Sequence, residues 1–168
     1  KRGHKPLFRF YISPLSLLNE HVLRYAHYIT VLTDQKNESA FRSFSQDVSE
    51  IVLNKPDGFE LSGKEGKGLP IITPSKVVIG EAGFDDPFSE LFITLDEPWP
   101  THRYPLKTVI TEKHPYDLII CGILLSLVHH FQGVIEVHTD GSKADWERAI
   151  ALYEYTTLRT APALFFQS

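Results

Sequence analysis

His114-Pro-Tyr-Asp-Leu-Ile-Ile-Cys-Gly-Ile-Leu-Leu-Ser-Leu-Val-His-His-Phe-Gln-Gly-Val-Ile-Glu-Val-His-Thr-Asp-Gly-Ser142 is the stretch that decides the fold. Pro115 suits the first turn of a helix, and Asp117 puts a negative charge near the positive helix end. The run Leu118 to Val128 is apolar on every side, so this helix should be covered on most of its surface. Gly133 ends it. Val134 to Val137 reads as a strand and Asp140-Gly141 as a turn. Ser142 with Asp145 makes a capping-box-like start to a second helix, whose inward face is Trp146, Ala149, Ile150 and Tyr153. The order is therefore helix, strand, polar turn, helix.

Working outward, Leu106 to Thr111 is the next strand upstream. A strand, a buried helix and a strand predict a right-handed crossover, with the two strands parallel neighbours or nearly so. Further back, the punctuated middle of the chain offers short strands at Ile71-Ile72 and Val77 to Ile79 around Pro74, and a longer one at Leu91 to Leu95. Ser62 to Gly68 (S-G-K-E-G-K-G) reads as an exposed loop and, should the chain divide, the hinge.

In the N-terminal third, Leu7 to Ile12 alternates like a half-buried strand, and Ser13-Pro14 opens a helix. Leu15, Leu18, Val22, Tyr25, Ile29 and Leu32 recur at spacings of three and four, which predicts one long amphipathic helix. A second helix carries Phe41, Phe44, Val48, Ile51 and Val52 inward. The short break at Asp34 to Asn37 predicts an antiparallel helical hairpin. The fold class expected is α/β or α+β in a single domain spanning 1–168, a small mixed sheet of about five strands with about four helices.

Composition narrows the function classes. The 168 residues include 42% hydrophobic and 23% charged side chains, ordinary for a packed domain, with a net charge of −4. No basic field is available for non-specific nucleic-acid binding, and no polybasic segment for an anionic membrane. Leu118 to Val128 is too short to span a bilayer. The single cysteine, Cys121, falls in the most apolar run and reads as a small core residue. A lone thiol fits the cytoplasm or another reducing intracellular compartment. The chain has no methionine, so the expectation is a segment of a longer protein.

The chemistry concentrates at the end of the last strand. His138 and Asp140 are two apart, so on an extended backbone they share a side, and an imidazole beside a carboxylate is the minimum for a general base. Lys107 and His114 complete the candidate catalytic set. Strand-end and turn roles explain the same residues without catalysis. Eight histidines raise the question of a metal, with His129-His130 nearest this corner, but no ligand motif appears and no metal site is assigned. The Gly63 to Gly68 loop lacks the Lys-Ser/Thr pair that opens a helix in a phosphate-binding loop. Glu81, Asp85, Asp86 and Glu90 read as a solvated acidic loop. Trp99, His102, Arg103 and Tyr104 are the candidate binding residues, because aromatic and arginine side chains on a loop are typical partner anchors.

The reading favoured is a non-enzymatic protein-interaction or regulatory domain with a protein partner or self-association, and with neither nucleic acid nor membrane as partner. The alternative is a small hydrolase-type enzyme using the His138/Asp140 pair, metal-assisted or not.

Overall fold

The computed structural model describes residues 24–99, 101, 107–164 and 166. The strand expected at Leu7 to Ile12, the Ser13-Pro14 helix start and three of the candidate binding residues (His102, Arg103 and Tyr104) lie outside these. The described chain is mixed α/β. In order come β1 (Ala26–Val31), α1 (Glu38–Leu53), β2 (Leu61–Ser62), a single 3-10 turn (Lys64–Gly66), β3 (Ile71–Thr73), β4 (Lys76–Glu81), β5 (Leu91–Thr94), β6 (Lys107–Ile110), α2 (Asp117–His130), β7 (Ile135–Thr139) and α3 (Lys143–Thr157).

Two sheets form. In the first, β1 lies between β6 and β7 and is antiparallel to both. It follows that β6 and β7 run parallel, separated by one strand, with α2 as their connection. In the second, β4 is central and pairs antiparallel with β2, β3 and β5. The expected counts were thus slightly off: the described residues hold three helices rather than four, and seven short strands in two sheets rather than about five in one.

The segment expected to finish the first helix is a strand. Residues 26–31 pair along both edges, Ala26 with Ile110 on one side and Tyr28 with His138 on the other. Tyr28, Ile29, Thr30 and Val31 all favour extended backbone. The strand is central and buried on both faces, with Tyr28 and Ile29 alike removed from solvent. Two-sided burial erases the apolar-polar alternation that marks a half-buried strand, and Tyr25, Ile29 and Leu32 then mimic a helical stripe. The helical hairpin is replaced by a strand leading into α1.

The rest follows the local chemistry. Asn37 caps α1 by accepting from Ala40 N at 2.9 Å, and Phe41, Phe44, Val48 and Ile51 are buried. Ser142 and Asp145 form the reciprocal capping box of α3. In α2, Ile119 to Leu127 are all buried, as an all-apolar helix requires. It packs against α1, α3 and β7, and one core unites the helices with residues of both sheets. Ser62 to Gly68 is anchored: Ser62 is buried, and the Glu65 amide donates to the Glu90 carboxylate at 2.6 Å. A side chain at position 63 would meet Leu69 O at 2.7 Å, so only glycine allows this approach.

Candidate functional site

The register of the first sheet decides which side chains meet. His27, Ile29 and Val31 on β1 pair with Thr139, Val137 and Ile135 on β7, and paired residues share a face. That face carries the core and the helices. The opposite face carries Ala26, Tyr28 and Ile110, a separate small apolar cluster, together with His138. His138 and Asp140 therefore sit on the side away from α2, and Thr139 between them points inward.

Four elements converge at the inner corner. β1 supplies His27, which is fully buried. The first turn of α2 supplies Asp117 and, four residues on and so on the same helix side, Cys121. The residue after β6 is Thr111, and β7 ends in Thr139. Asp117 Oδ1 accepts from Thr111 Oγ1 at 2.6 Å and meets His27 Nε2 at 2.7 Å. Cys121 Sγ lies 3.6 Å from Asp117 Oδ2 and 3.5 Å from His27 Nε2. His27 Nδ1 is 2.8 Å from Thr139 Oγ1. The Trp146 ring packs edge-on to His27, and the buried Tyr25 hydroxyl next to Thr139 makes no well-formed hydrogen bond.

Counting donors assigns the protons. Thr139 Oγ1 accepts from Gly141 N at 2.9 Å and Trp146 Nε1 at 3.2 Å, and both groups can only donate. A hydroxyl has two acceptor sites, so its own proton goes to His27 Nδ1. The imidazole is then the neutral tautomer with its proton on Nε2, donated to Asp117. The Cys121 thiol donates to the other carboxylate oxygen. Burial raises the Asp117 pKa, but hydrogen bonds from His27 and Thr111 outweigh it and hold the carboxyl below its usual range. Burial first, and the Asp117 charge next, push the Cys121 thiol well up.

This arrangement is not a thiol relay. A cysteine nucleophile needs a base nitrogen with a free lone pair facing sulfur and a carboxylate on the other ring nitrogen. Here Asp117 and Cys121 share Nε2, which carries a proton. What the corner offers is a closed hydrogen-bond knot joining β1, β7, α2 and the β6 exit, with three ligand-type atoms at one point: imidazole, carboxylate and thiol.

The residues singled out from the sequence are dispersed. Asp140 accepts from Ala26 N and the Tyr28 hydroxyl, each at 3.1 Å, and its amide donates to Ala26 O. Burial raises its pKa against these bonds. His138 Nε2 meets Glu136 at 3.2 Å. Lys107 pairs with Ile29 and so stands on the opposite face from His138. Burial lowers its pKa, opposed by Glu90 and aided by Lys64. His114 stacks on Phe84 and meets Glu81 at 2.7 Å. Of the candidate catalytic set, only His138 and Asp140 share a face.

Trp99 is a core side chain, 2% exposed, donating to Thr94 O at 2.9 Å and packed on Phe131. The acidic loop is largely partnered: Asp86 with Arg24, Glu81 with His114, and Glu90 with the Glu65 amide. Asp117 reads from the sequence as a neighbour of the His138/Asp140 corner, whereas His27, Thr111 and Thr139 do not, because placing His27 in a helix removes it from the sheet. The available signals were the i, i+4 pair Asp117/Cys121 and the β-rich run after His27.

No helix among the described residues is long and apolar enough to cross a membrane. No protein-family model matches the sequence, and no curated protein or solved structure matches it.

Proposed function

We propose that this chain is a protein-interaction or regulatory domain. One observation carries the reading: α3 ends in an exposed apolar face, with Tyr155 75% and Leu158 89% exposed. Exposed Ala151 lies one turn before Tyr155 on the same side of the helix, and Leu158 follows as its left-handed cap. Tyrosine and leucine in that setting suit anchoring a partner, and tyrosine is over-represented among binding hot spots. The inner corner supports the same reading, since its thiol is protonated and its imidazole nitrogens are both engaged.

The test compares the wild type with the double variant Tyr155→Glu/Leu158→Glu. Sedimentation and chemical cross-linking of the purified protein would read self-association, and affinity capture would read a partner. The expected result is an association that the double variant loses while its melting curve stays unchanged. A wild type that is monomeric, and that captures the same proteins as Tyr155→Glu/Leu158→Glu, would end this proposal.

The hydrolase alternative draws on Asp140, whose half-buried carboxyl is held above its ordinary range, as a general acid requires. Thermal-shift screening with divalent metals and phosphate compounds tests it. Stabilisation that disappears in Asp140→Asn would favour the enzyme.

A further inference from the structure

We propose that His27, Asp117 and Cys121 form a binding site for one divalent zinc ion, independent of the interaction reading above. The three ligand atoms come from β1 and two successive turns of α2 and all lie within 4.8 Å of one another. An imidazole, a carboxylate and a thiolate together are a borderline-soft donor set, which selects zinc over calcium or magnesium.

The spacing fits. With zinc–nitrogen and zinc–oxygen bonds near 2.1 Å and a zinc–sulfur bond near 2.3 Å, the edges of a tetrahedron are about 3.4 Å for N···O and about 3.6 Å for the two edges to sulfur. The observed sulfur edges are 3.5 Å to His27 Nε2 and 3.6 Å to Asp117 Oδ2. The 2.7 Å contact of His27 Nε2 is with the other carboxylate oxygen, Asp117 Oδ1, and is short because a hydrogen bond now closes it. Carboxylate rotation by a few tenths of an ångström opens that contact. The supporting groups are already in place: Thr139 on the far nitrogen of His27 and Thr111 on Asp117. Asp117, with 14% of its side chain exposed, is the point of entry.

Binding moves protons in a defined way. The Cys121 thiol proton leaves to solvent. The His27 proton moves from Nε2 to Nδ1 and is donated to Thr139 Oγ1. Thr139 then turns its own proton toward the Tyr25 hydroxyl, the buried atom beside it that lacks a well-formed hydrogen bond. The 3.2 Å bond from Trp146 Nε1 is the contact given up. Water takes the fourth position. One proton is released per ion, and no electron is transferred.

Cobalt(II) titration into the folded protein tests this, since a cobalt–thiolate bond adds a charge-transfer band that other ligands do not give. We expect one ion per chain, the band, displacement by zinc, and release of one proton by calorimetry in two buffers. Cys121→Ser, close to isosteric, should lose the band and weaken binding by more than the ~10–100-fold typical of a supporting residue. Thr139→Val should weaken it within that range. No thiolate band in the wild type, or equal affinity in a folded Cys121→Ser, would overturn the proposal. Should the variants fail to fold, the wild-type spectrum decides alone. Cobalt bound without the thiolate band, at surface histidines, counts against the site.

Discussion

The two ends of α2 hold carboxylates with nearly the same exposure and opposite means of compensation. At its start, Asp117 accepts from Thr111, Cys121 and the Nε2–H of His27, donors that are all uncharged. At its end, Asp47 of α1 receives Ser126 at 2.7 Å and His130 at 2.8 Å and is paired with Arg159, beyond α3. Asp47 stitches three helices together through charge, and its Arg159 partner is about a third exposed. Asp117 stitches a helix to a sheet through neutral hydrogen bonds, its His27 partner fully buried. A charge pair at a rim is screened and replaceable, whereas a knot of polar ligand atoms in an apolar interior can change state only by gaining or losing a proton or an ion.

The largest perturbation removes the scaffold both knots share. Leu124, fully buried midway along α2, becomes an unpaired internal charge in Leu124→Asp. The cost is several kcal/mol, on the order of the whole stability, and circular dichroism should show an unfolded chain. Next is Asp117→Ala, which leaves the neutral donors of His27, Thr111 and Cys121 unsatisfied together, at about 1–3 kcal/mol for each buried group in urea melts. Asp47→Ala leaves Arg159 able to reach water, so about 1–3 kcal/mol is expected. If the two alanine variants were equally destabilised, the contrast between compensation by buried neutral donors and by a part-exposed charge would fail.

Acid sharpens the contrast further. Burial raises the Asp47 pKa, but His130, Ser126 and Arg159 outweigh it and leave it below its ordinary value. A carboxyl depressed on folding contributes stability above its unfolded pKa, about 3.9. That contribution is lost as pH falls through the lower folded value. Urea melts from about pH 6 to 3 should show wild-type stability falling in this window, with a shallower fall in Asp47→Asn. The smallest effect is ionic: added salt should narrow the difference between wild type and Asp47→Ala and leave that for Asp117→Ala unchanged.

Much of this architecture can be read from residues alone. The helix–strand–turn–helix order after His114 was legible because an all-apolar run, Gly133 and the Ser142/Asp145 box each leave a local mark. The parallel relation of the β6 and β7 strands followed from the helix between them. β1 was not legible, since a central strand buried on both faces loses its period of two, and its partners at Thr108 and His138 are about 80 and 110 residues away. The end of β7 does lie beside the start of α3. The corner's occupants could not be read, because a one-residue change of face exchanges His138 and Asp140 for Thr139. Without β1, nothing in the sequence brings His27 to Asp117. Trp99 shows the converse problem: an aromatic in a proline-bounded loop reads alike whether it faces a partner or its own core.

The most direct test is nitrogen-15 NMR of the His27 ring in metal-free protein at neutral pH. The hydrogen-bond count at Thr139 predicts a neutral imidazole, protonated on Nε2 and bare on Nδ1, with the Nε2 proton coupled to Asp117. A proton on Nδ1, or on both nitrogens, in the absence of metal would contradict the closed corner on which the rest of the account depends.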